Sequence, residues 1–291
     1  KCVATFSFEQ GAKEFTVPKG IGPVEIEVIG AAGGSGGLDC GVGCTAAPSG
    51  PAGKLVLNYN DLSGKTIKLY PGGKGSNGAS GAKASGGGAG GTSTFSAEYN
   101  GGRGGNTGSV GSSGGGGGGG AASIVVIDGK TFIAAGAGGG GGSANSANGS
   151  TAGTNDEKIS VGYLAVNIFE TQQATFQAPK DSVFVGSKLR YESSSNGNCG
   201  VNITPDVAGK KQVTLQALNS IWGDSCNGVQ KRIVGTLSYA LGSLGGNGEG
   251  SSCAFFCDGG GGGGGGAGVN GGAGGGLYQA PDGGREAAGF G

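Results

Sequence analysis

Uninterrupted runs of glycine are the feature that most restricts how this chain can fold. Gly114 to Gly120 is a run of seven, Gly138 to Gly142 a run of five, and Gly259 to Gly266 a run of eight. In total, 76 of the 291 residues are glycine. These segments have no side chains to bury, and ordering glycine loses more backbone entropy than ordering any other residue. They must therefore be flexible linkers, or find hydrogen-bond partners for their backbone in other segments.

Polyglycine II helices are the ordered alternative to linkers. Such a helix repeats about every three residues, rises ~3.1 Å per residue and makes no internal hydrogen bonds, so its backbone groups point outward. Without side chains, neighbouring helices can approach closely and bond laterally. The runs adjoin predicted strands, since Gly120 leads into Ala121 to Ile124 and Ala134 to Ala135 leads into Gly136. A linker would instead lie between domains, so this placement favours a packed bundle.

Glycine is unevenly distributed along the chain. Residues 156–243 contain nine of the 76 glycines, whereas about one residue in three is glycine elsewhere. We therefore predict a glycine-rich domain formed by residues 1–155 and 244–291. Residues 156–243 are predicted to form a glycine-poor, β-sandwich-like segment.

The ordinary parts of the sequence predict β-structure. Val24 to Ile29 alternates apolar residues with Glu25 and Glu27, which is typical of a half-buried strand. Ile124 to Ile127 and Thr131 to Ala135 flank Asp128-Gly129, a type I′ hairpin turn signal. Further strands are predicted near residues 6–8, 15–17, 55–59, 67–69, 94–99, 159–169, 183–185, 189–191, 212–218 and 233–241. The fold class is all-β: jelly-roll or β-sandwich strands, a packed polyglycine II helix bundle, a glycine-poor β segment and essentially no α-helix.

The seven cysteines favour disulfides in an oxidising compartment. None lies in a C-x-x-C pair, and the chain has no histidine to complete a zinc site. The candidates for disulfides are Cys40, Cys44, Cys199, Cys226, Cys253 and Cys257. Cys199 and Cys226 are isolated in the glycine-poor segment and could pair, while Cys2 is the candidate for a free thiol or an intermolecular bond. The alternative is that all seven are reduced and buried.

Composition argues against several functions. Without histidine, Ser-His-Asp and Cys-His catalysis are impossible, and we expect no enzyme activity, metal or cofactor. The 19 acidic and 19 basic residues cancel, which argues against nucleic acid as a partner. We expect no membrane insertion and a secreted, extracellular location, with numbering that starts at a mature N-terminus. The carboxylate pairs Glu25/Glu27 and Asp156-Glu157 are interpreted as solvated surface, and Gly64-Lys65-Thr66 as an incomplete P-loop match.

Two sequons suit a secreted protein. Asn148-Gly149-Ser150 and Asn202-Ile203-Thr204 are candidates for N-glycosylation at Asn148 and Asn202. Trp222, the single tryptophan, is interpreted as a core residue rather than a carbohydrate platform.

Several segments resemble known glycine-rich extracellular domains. They are Phe15 to Gly20, Val24 to Gly34, Ser123 to Val126, Phe132 to Gly138 and Cys257 to Gly276. The last resembles the glycine-rich region of the anaplastic lymphoma kinase and leukocyte tyrosine kinase ectodomains. That resemblance implies polyglycine helices in a hexagonal array beside a tumour-necrosis-factor-like jelly roll. The printed sequence contains no transmembrane segment or kinase domain, so receptor signalling is not implied.

Three functions follow as hypotheses. The leading one is a self-associating structural subunit of an extracellular filament, coat or matrix. The second is an adhesin or ligand-binding module for a cell-surface protein or glycan. It resembles phage polyglycine-sandwich adhesins, and its recognition would lie in loops such as Ser143 to Asn155. The third is ice binding, as in glycine-rich antifreeze proteins, although Ser143 to Gly162 breaks the three-residue glycine period.

Overall fold

The structure is a computed structural model that describes most of the chain. The described residues are 3–38, 47–80, 86–107, 114–127, 130–142, 161–180, 182–195, 199–224, 226–241, 247–248, 263–268, 272, 274, 276–279 and 285–288. Structural statements below refer to these residues.

The regular elements are almost entirely antiparallel strands, which confirms the all-β prediction. The strands are β1 Lys13–Thr16, β2 Val24–Ile29, β3 Lys54–Tyr59, β4 Thr66–Tyr70, β5 Ser123–Ile127, β6 Lys130–Ala134, β7 Val161–Phe169, β8 Gln173–Gln177, β9 Ser182–Ser193, β10 Gly200–Ile203, β11 Gln212–Gln216, β12 Lys231–Leu241, β13 Gly276–Gln279 and β14 Arg285–Ala288. The described residues contain one α-helix, α1 Asn219–Trp222, and two 3-10 helices, Phe8–Gln10 and Ala97–Tyr99.

Two strand predictions were wrong. Residues 6–8 lead into a 3-10 turn, in which the Gln10 side chain accepts a hydrogen bond from the Ser7 amide at 2.8 Å. Residues 94–99 also end in a 3-10 turn. There the buried side chains are Phe95 and Tyr99, four residues apart, with ring centroids separated by 5.6 Å. A strand would place residues 95, 97 and 99 on one face, but Ala97 is exposed while Phe95 and Tyr99 are buried.

The chain divides into two compact units. The first, here the glycine-rich unit, comprises Lys1–Val125, Phe132–Lys158 and Gly242–Gly291. The second, the glycine-poor unit, comprises Val126–Thr131 and Ile159–Leu241. The sequence division had placed residues 126–131 in the glycine-rich part.

The glycine-poor unit is built around a conventional hydrophobic core. A four-stranded sheet of order β10-β9-β12-β7 and a two-stranded sheet of order β11-β8 supply that core. Phe184, Tyr191, Ile233 and Leu237 are all fully buried in it. The residues predicted as separate strands at 183–185 and 189–191 form one strand, β9, which is irregular opposite Ser238 and Tyr239 of β12.

The other three sheets are formed by strands that lie wholly or partly in the glycine-rich unit. Their orders are β1-β4-β5-β6, β2-β3 and β13-β14. Strands β5 and β6 are neighbours in the first sheet, as the hairpin prediction required, while the turn residues Asp128-Gly129 lie outside the described residues. All five residues of β5 are buried. One glycine segment leads into β5, and another follows β6.

Candidate functional site

The glycine segments form an ordered array within the glycine-rich unit. A central tract, residues 114–121, lies among six ring tracts and is completely buried. The ring tracts are residues 31–37, 73–79, 86–92, 101–105, 136–140 and 264–267. We call these seven tracts the glycine array.

Hydrogen bonds from the central tract repeat every three residues. The amides of Gly115, Gly118 and Ala121 donate to carbonyls of one ring tract, those of Ala79, Ser76 and Gly73, at 2.9–3.0 Å. Because every third amide meets the same neighbour, the tract has the three-residue repeat of polyglycine II. The array is therefore the polyglycine II bundle that the sequence predicted.

The six neighbours divide evenly between acceptors and donors. Central amides donate to tracts 73–79, 101–105 and 136–140, and central carbonyls accept from tracts 31–37, 86–92 and 264–267. Adjacent ring tracts also bond to each other, and one bond from each pair is Gly75 N to Ala32 O, Ser76 N to Ala89 O, Gly101 N to Gly91 O, Gly102 N to Gly265 O, Gly136 N to Ala267 O and Ala137 N to Ala31 O. This closed hexagon satisfies backbone groups that no water reaches.

Steric contact explains why the central tract is uninterrupted glycine. A Cβ added at Gly117, Gly118, Gly119 or Gly120 would lie less than 3.0 Å from a main-chain carbonyl of a ring tract. A side-chain neighbour could rotate away, but these carbonyls are held by the array. The close approach of seven backbones therefore requires glycine.

Outward-facing positions of the ring tracts do carry side chains. In tract 73–79, Lys74 and Asn77 are exposed three residues apart, and in tract 101–105 Arg103 and the following Asn106 repeat this spacing. The two asparagines stabilise the rim of the array. Asn77 Oδ1 accepts a hydrogen bond from the Ser35 amide at 3.0 Å, and Asn106 Oδ1 accepts one from the Gly87 amide at 2.8 Å.

One ring tract, residues 86–92, presents backbone groups to solvent, and we call it the open tract. Ala89 is exposed and Gly90 is half-buried. Within the described residues, neither the amide nor the carbonyl of Gly90 has a hydrogen-bond partner, and the Gly87 carbonyl has none either. The open tract therefore has free backbone donor and acceptor groups on its outer face.

The structure places few of the predicted cysteine and glycosylation residues. Cys199 and Cys226 are joined by a disulfide, with Cα atoms 5.8 Å apart. Asn202 lies exposed on β10, at the edge of its sheet. The remaining candidates, Cys2, Cys40, Cys44, Cys253, Cys257 and Asn148, lie outside the described residues.

One of the two carboxylate pairs takes an ordinary surface position, while Asp156-Glu157 lies outside the described residues. Glu25 and Glu27 are exposed on β2, and Glu27 forms an ion pair with Lys54 at 2.8 Å. The described residues bring no three His, Cys, Asp or Glu side chains together as metal ligands. In the same residues, no helix has both the length and the apolar character needed to cross a bilayer.

A buried polar network that the sequence did not indicate holds helix α1 in the glycine-poor unit. Tyr191 donates to Asn219 Oδ1 at 2.9 Å, and Asn219 Nδ2 donates to Glu170 at 2.8 Å. The other Glu170 oxygen accepts from the Lys231 amide, and the buried Lys231 ammonium pairs with Asp224 at 2.7 Å. Burial, with the nearby charges of Glu170 and Asp224, raises the pKa of Tyr191. The network fixes the turn that carries Trp222.

Comparison with known proteins identifies no relative. No family model, curated protein or solved structure matches this chain. Its function is therefore inferred from the geometry of its own residues. Two surfaces offer groups for a partner: the open tract, and a cleft beside Trp222.

Proposed function

We propose that this chain is a secreted, self-associating structural subunit of an extracellular filament, coat or matrix. The observation that supports the proposal is the open tract, whose outer face leaves the Gly87 carbonyl and both backbone groups of Gly90 without partners in the described residues. An array of this kind has no intrinsic boundary, because any tract with the same three-residue repeat can add at such a face.

The occupant we propose for this face is a glycine tract of a second copy. Like the exposed edge of a β-sheet, an open polyglycine face is a template for another backbone. The approaching chain must carry glycine at the positions that face the array, because tracts inside the array approach too closely for a Cβ there. This chain itself supplies such tracts, so self-association needs no other protein.

Secretion is supported by the disulfide. Cys199 and Cys226 are bonded, and disulfides persist mainly in oxidising compartments outside the cytosol. A bond between copies through Cys2 would suit a covalently reinforced assembly, and it remains a prediction because Cys2 lies outside the described residues.

The two alternatives also remain predictions. The loop from Ser143 to Asn155, where an adhesin would place its recognition residues, lies outside the described residues. Ice binding is less favoured, because the exposed rim residues Lys74 and Arg103 are charged and the lysine ammonium is strongly hydrated.

An exposed substitution on the open tract tests self-association without disturbing the array. The Ala89→Lys variant would place a charged chain over the free Gly87 carbonyl and the free backbone groups of Gly90. We expect wild type to form larger species with rising concentration in sedimentation velocity and electron microscopy, and Ala89→Lys to remain monomeric. The matched control is Ala97→Lys, which makes the same change at an exposed alanine outside the open tract. Strictly monomeric wild-type particles, or equal assembly of the two variants, would contradict the proposal.

A further inference from the structure

The strands β8 and β11 present a repeated polar pattern on their exposed side. Both have the sequence Gln-x-Thr-x-Gln, as Gln173 to Gln177 and as Gln212 to Gln216. Their antiparallel register places like residues opposite each other, Gln173 with Gln216, Thr175 with Thr214, and Gln177 with Gln212. The residues between them, such as Val213 and Leu215, are buried in the core.

The six polar side chains form an uncharged face, which we call the glutamine face. The hydroxyls of Thr175 and Thr214 lie 2.9 Å apart and share a hydrogen bond. Within the described residues, no protein partner bonds to the side-chain amide of Gln173, Gln177, Gln212 or Gln216. Each amide offers two donor hydrogens and an acceptor oxygen, so the face presents both kinds of group.

Part of the glutamine face opens into a cleft. The cleft has a volume of about 350 Å³ and is lined by Gln173, Gln212, Thr214 and Gln216, together with Ile221 and Trp222 of α1. Trp222 Nε1 donates to the Gln216 carbonyl at 2.8 Å, which fixes the indole ring. Ile221 is 50% exposed. The polar network below α1 holds both residues in place.

Charge in the cleft is balanced. The other polar lining residues include Asp206 and Lys210, whose charged groups lie 3.4 Å apart, and Lys210 also donates to the Asp206 carbonyl at 2.7 Å. An anionic or cationic ligand would therefore meet a group that is already paired. A purely apolar ligand would cover the amides without giving them hydrogen-bond partners, which is costly.

We propose that the cleft beside Trp222 binds a neutral carbohydrate. Sugar hydroxyls both donate and accept hydrogen bonds, as the glutamine and threonine side chains do, and the C–H faces of a sugar ring can pack on Trp222 and Ile221. A few convergent polar groups around an aromatic ring are typical of small-ligand sites, and the volume lies in their lower range. The site belongs to the glycine-poor unit and does not depend on self-association.

The single tryptophan makes the test specific to the cleft. Because Trp222 is the only tryptophan, its emission reports directly on occupancy. We would titrate the full chain with cellohexaose, maltohexaose, laminarihexaose, mannohexaose and chitohexaose, and with an uncharged extended peptide. At least one sugar is expected to shift the emission saturably, with ligand-observed NMR as an independent readout.

Variants of the glutamine face provide the matched comparison. Gln212→Ala is expected to weaken binding about tenfold, because it removes hydrogen bonds to the sugar without touching the core. Gln177 is the cross-strand partner of Gln212 but does not line the cleft. The Gln177→Ala variant should therefore bind the sugar like wild type. Circular dichroism would verify that both variants are folded. The proposal is overturned if no sugar binds, if only the peptide binds, or if the two variants lose affinity equally.

Discussion

The two units of this protein bury different parts of the polypeptide. In the glycine-poor unit, the core consists of side chains such as Phe184 and Leu237, both fully buried. In the glycine array, the buried surface is the backbone itself, and the central residues Gly115 to Gly120 all donate main-chain hydrogen bonds to ring tracts. Apolar area stabilises the first unit, whereas hydrogen bonds worth about 1 kcal/mol each must offset the entropy of ordering glycine in the second.

This difference reverses the effect of side-chain size. A sandwich core is destabilised when atoms are removed, because a cavity remains. The array is destabilised when atoms are added, because backbone already occupies the space beside the Cα atoms of Gly114, Gly115 and Gly117 to Gly120. Each region therefore needs its own substitution and its own probe: Trp222 emission for the glycine-poor unit, and amide hydrogen exchange of Gly114–Gly120 for the array.

The largest effect is expected from removing a core side chain. Phe184→Ala should lower the free energy of unfolding of the glycine-poor unit by about 4 kcal/mol, because it leaves a cavity in the core cluster. Urea unfolding followed by Trp222 emission measures this loss. The matched control, Phe169→Ala, removes a side chain that is 39% exposed and should cost much less. Similar losses in both variants would show that burial in this core does not determine stability.

The next effect comes from adding one methyl group to the array. Gly118→Ala should destabilise the array by about 3 kcal/mol, because its Cβ would collide with the main chain at Ala89. Hydrogen exchange measures the change, since protected amides from Gly114 to Gly120 would exchange faster in the variant.

A second glycine of the array tests whether the loss at Gly118 comes from steric collision or from replacing any glycine with alanine. A Cβ at Gly86 would meet no atom within 4 Å, so Gly86→Ala should leave protection unchanged or raise stability by about 0.5 kcal/mol through the unfolded state. If Gly118→Ala were equally harmless, or if wild-type Gly114–Gly120 exchanged as fast as an unfolded chain, the contrast between the two units would be lost.

Local pattern was sufficient to predict many of the strands and the kind of array, but it missed β8, β10, β13 and β14. Val24–Ile29 was predicted with its observed bounds because its alternation is undisturbed, and the runs beside β5 and β6 indicated lateral packing. The arrangement of ring tracts was not predictable, because glycine carries no side-chain signal that selects one neighbour over another. Rim residues such as Asn77 repeat every three positions, but that spacing is short and weak as a signal.

The candidate cleft was missed for a different reason. Gln-x-Thr-x-Gln occurs twice in the sequence, but only the register of β8 with β11 shows that the two copies face each other. Trp222 was interpreted as a core residue, and it does pack against the core while also lining the cleft. The polar network of Tyr191, Asn219 and Glu170 joins residues far apart in the chain, so no local pattern could indicate it.

The smallest effect on the free energy of unfolding is expected from removing one hydrogen bond of the buried polar network in the glycine-poor unit. Tyr191→Phe should cost about 1 kcal/mol near neutral pH, because Asn219 loses its hydrogen-bond donor. Tyr163→Phe makes the same change at a residue that is 65% exposed and should cost almost nothing.

The pH dependence of this small effect has a definite sign. Burial raises the pKa of Tyr191 above the ordinary tyrosine value of 10.0, so the folded state holds this proton more tightly than the unfolded state. The resulting stability is complete below pH 10 and is lost as the pH rises through the folded pKa. Wild type and Tyr163→Phe should therefore lose stability above pH 10 more steeply than Tyr191→Phe, measured by urea unfolding with Trp222 emission. Parallel curves for all three proteins would mean that Tyr191 ionises as easily in the core as in water.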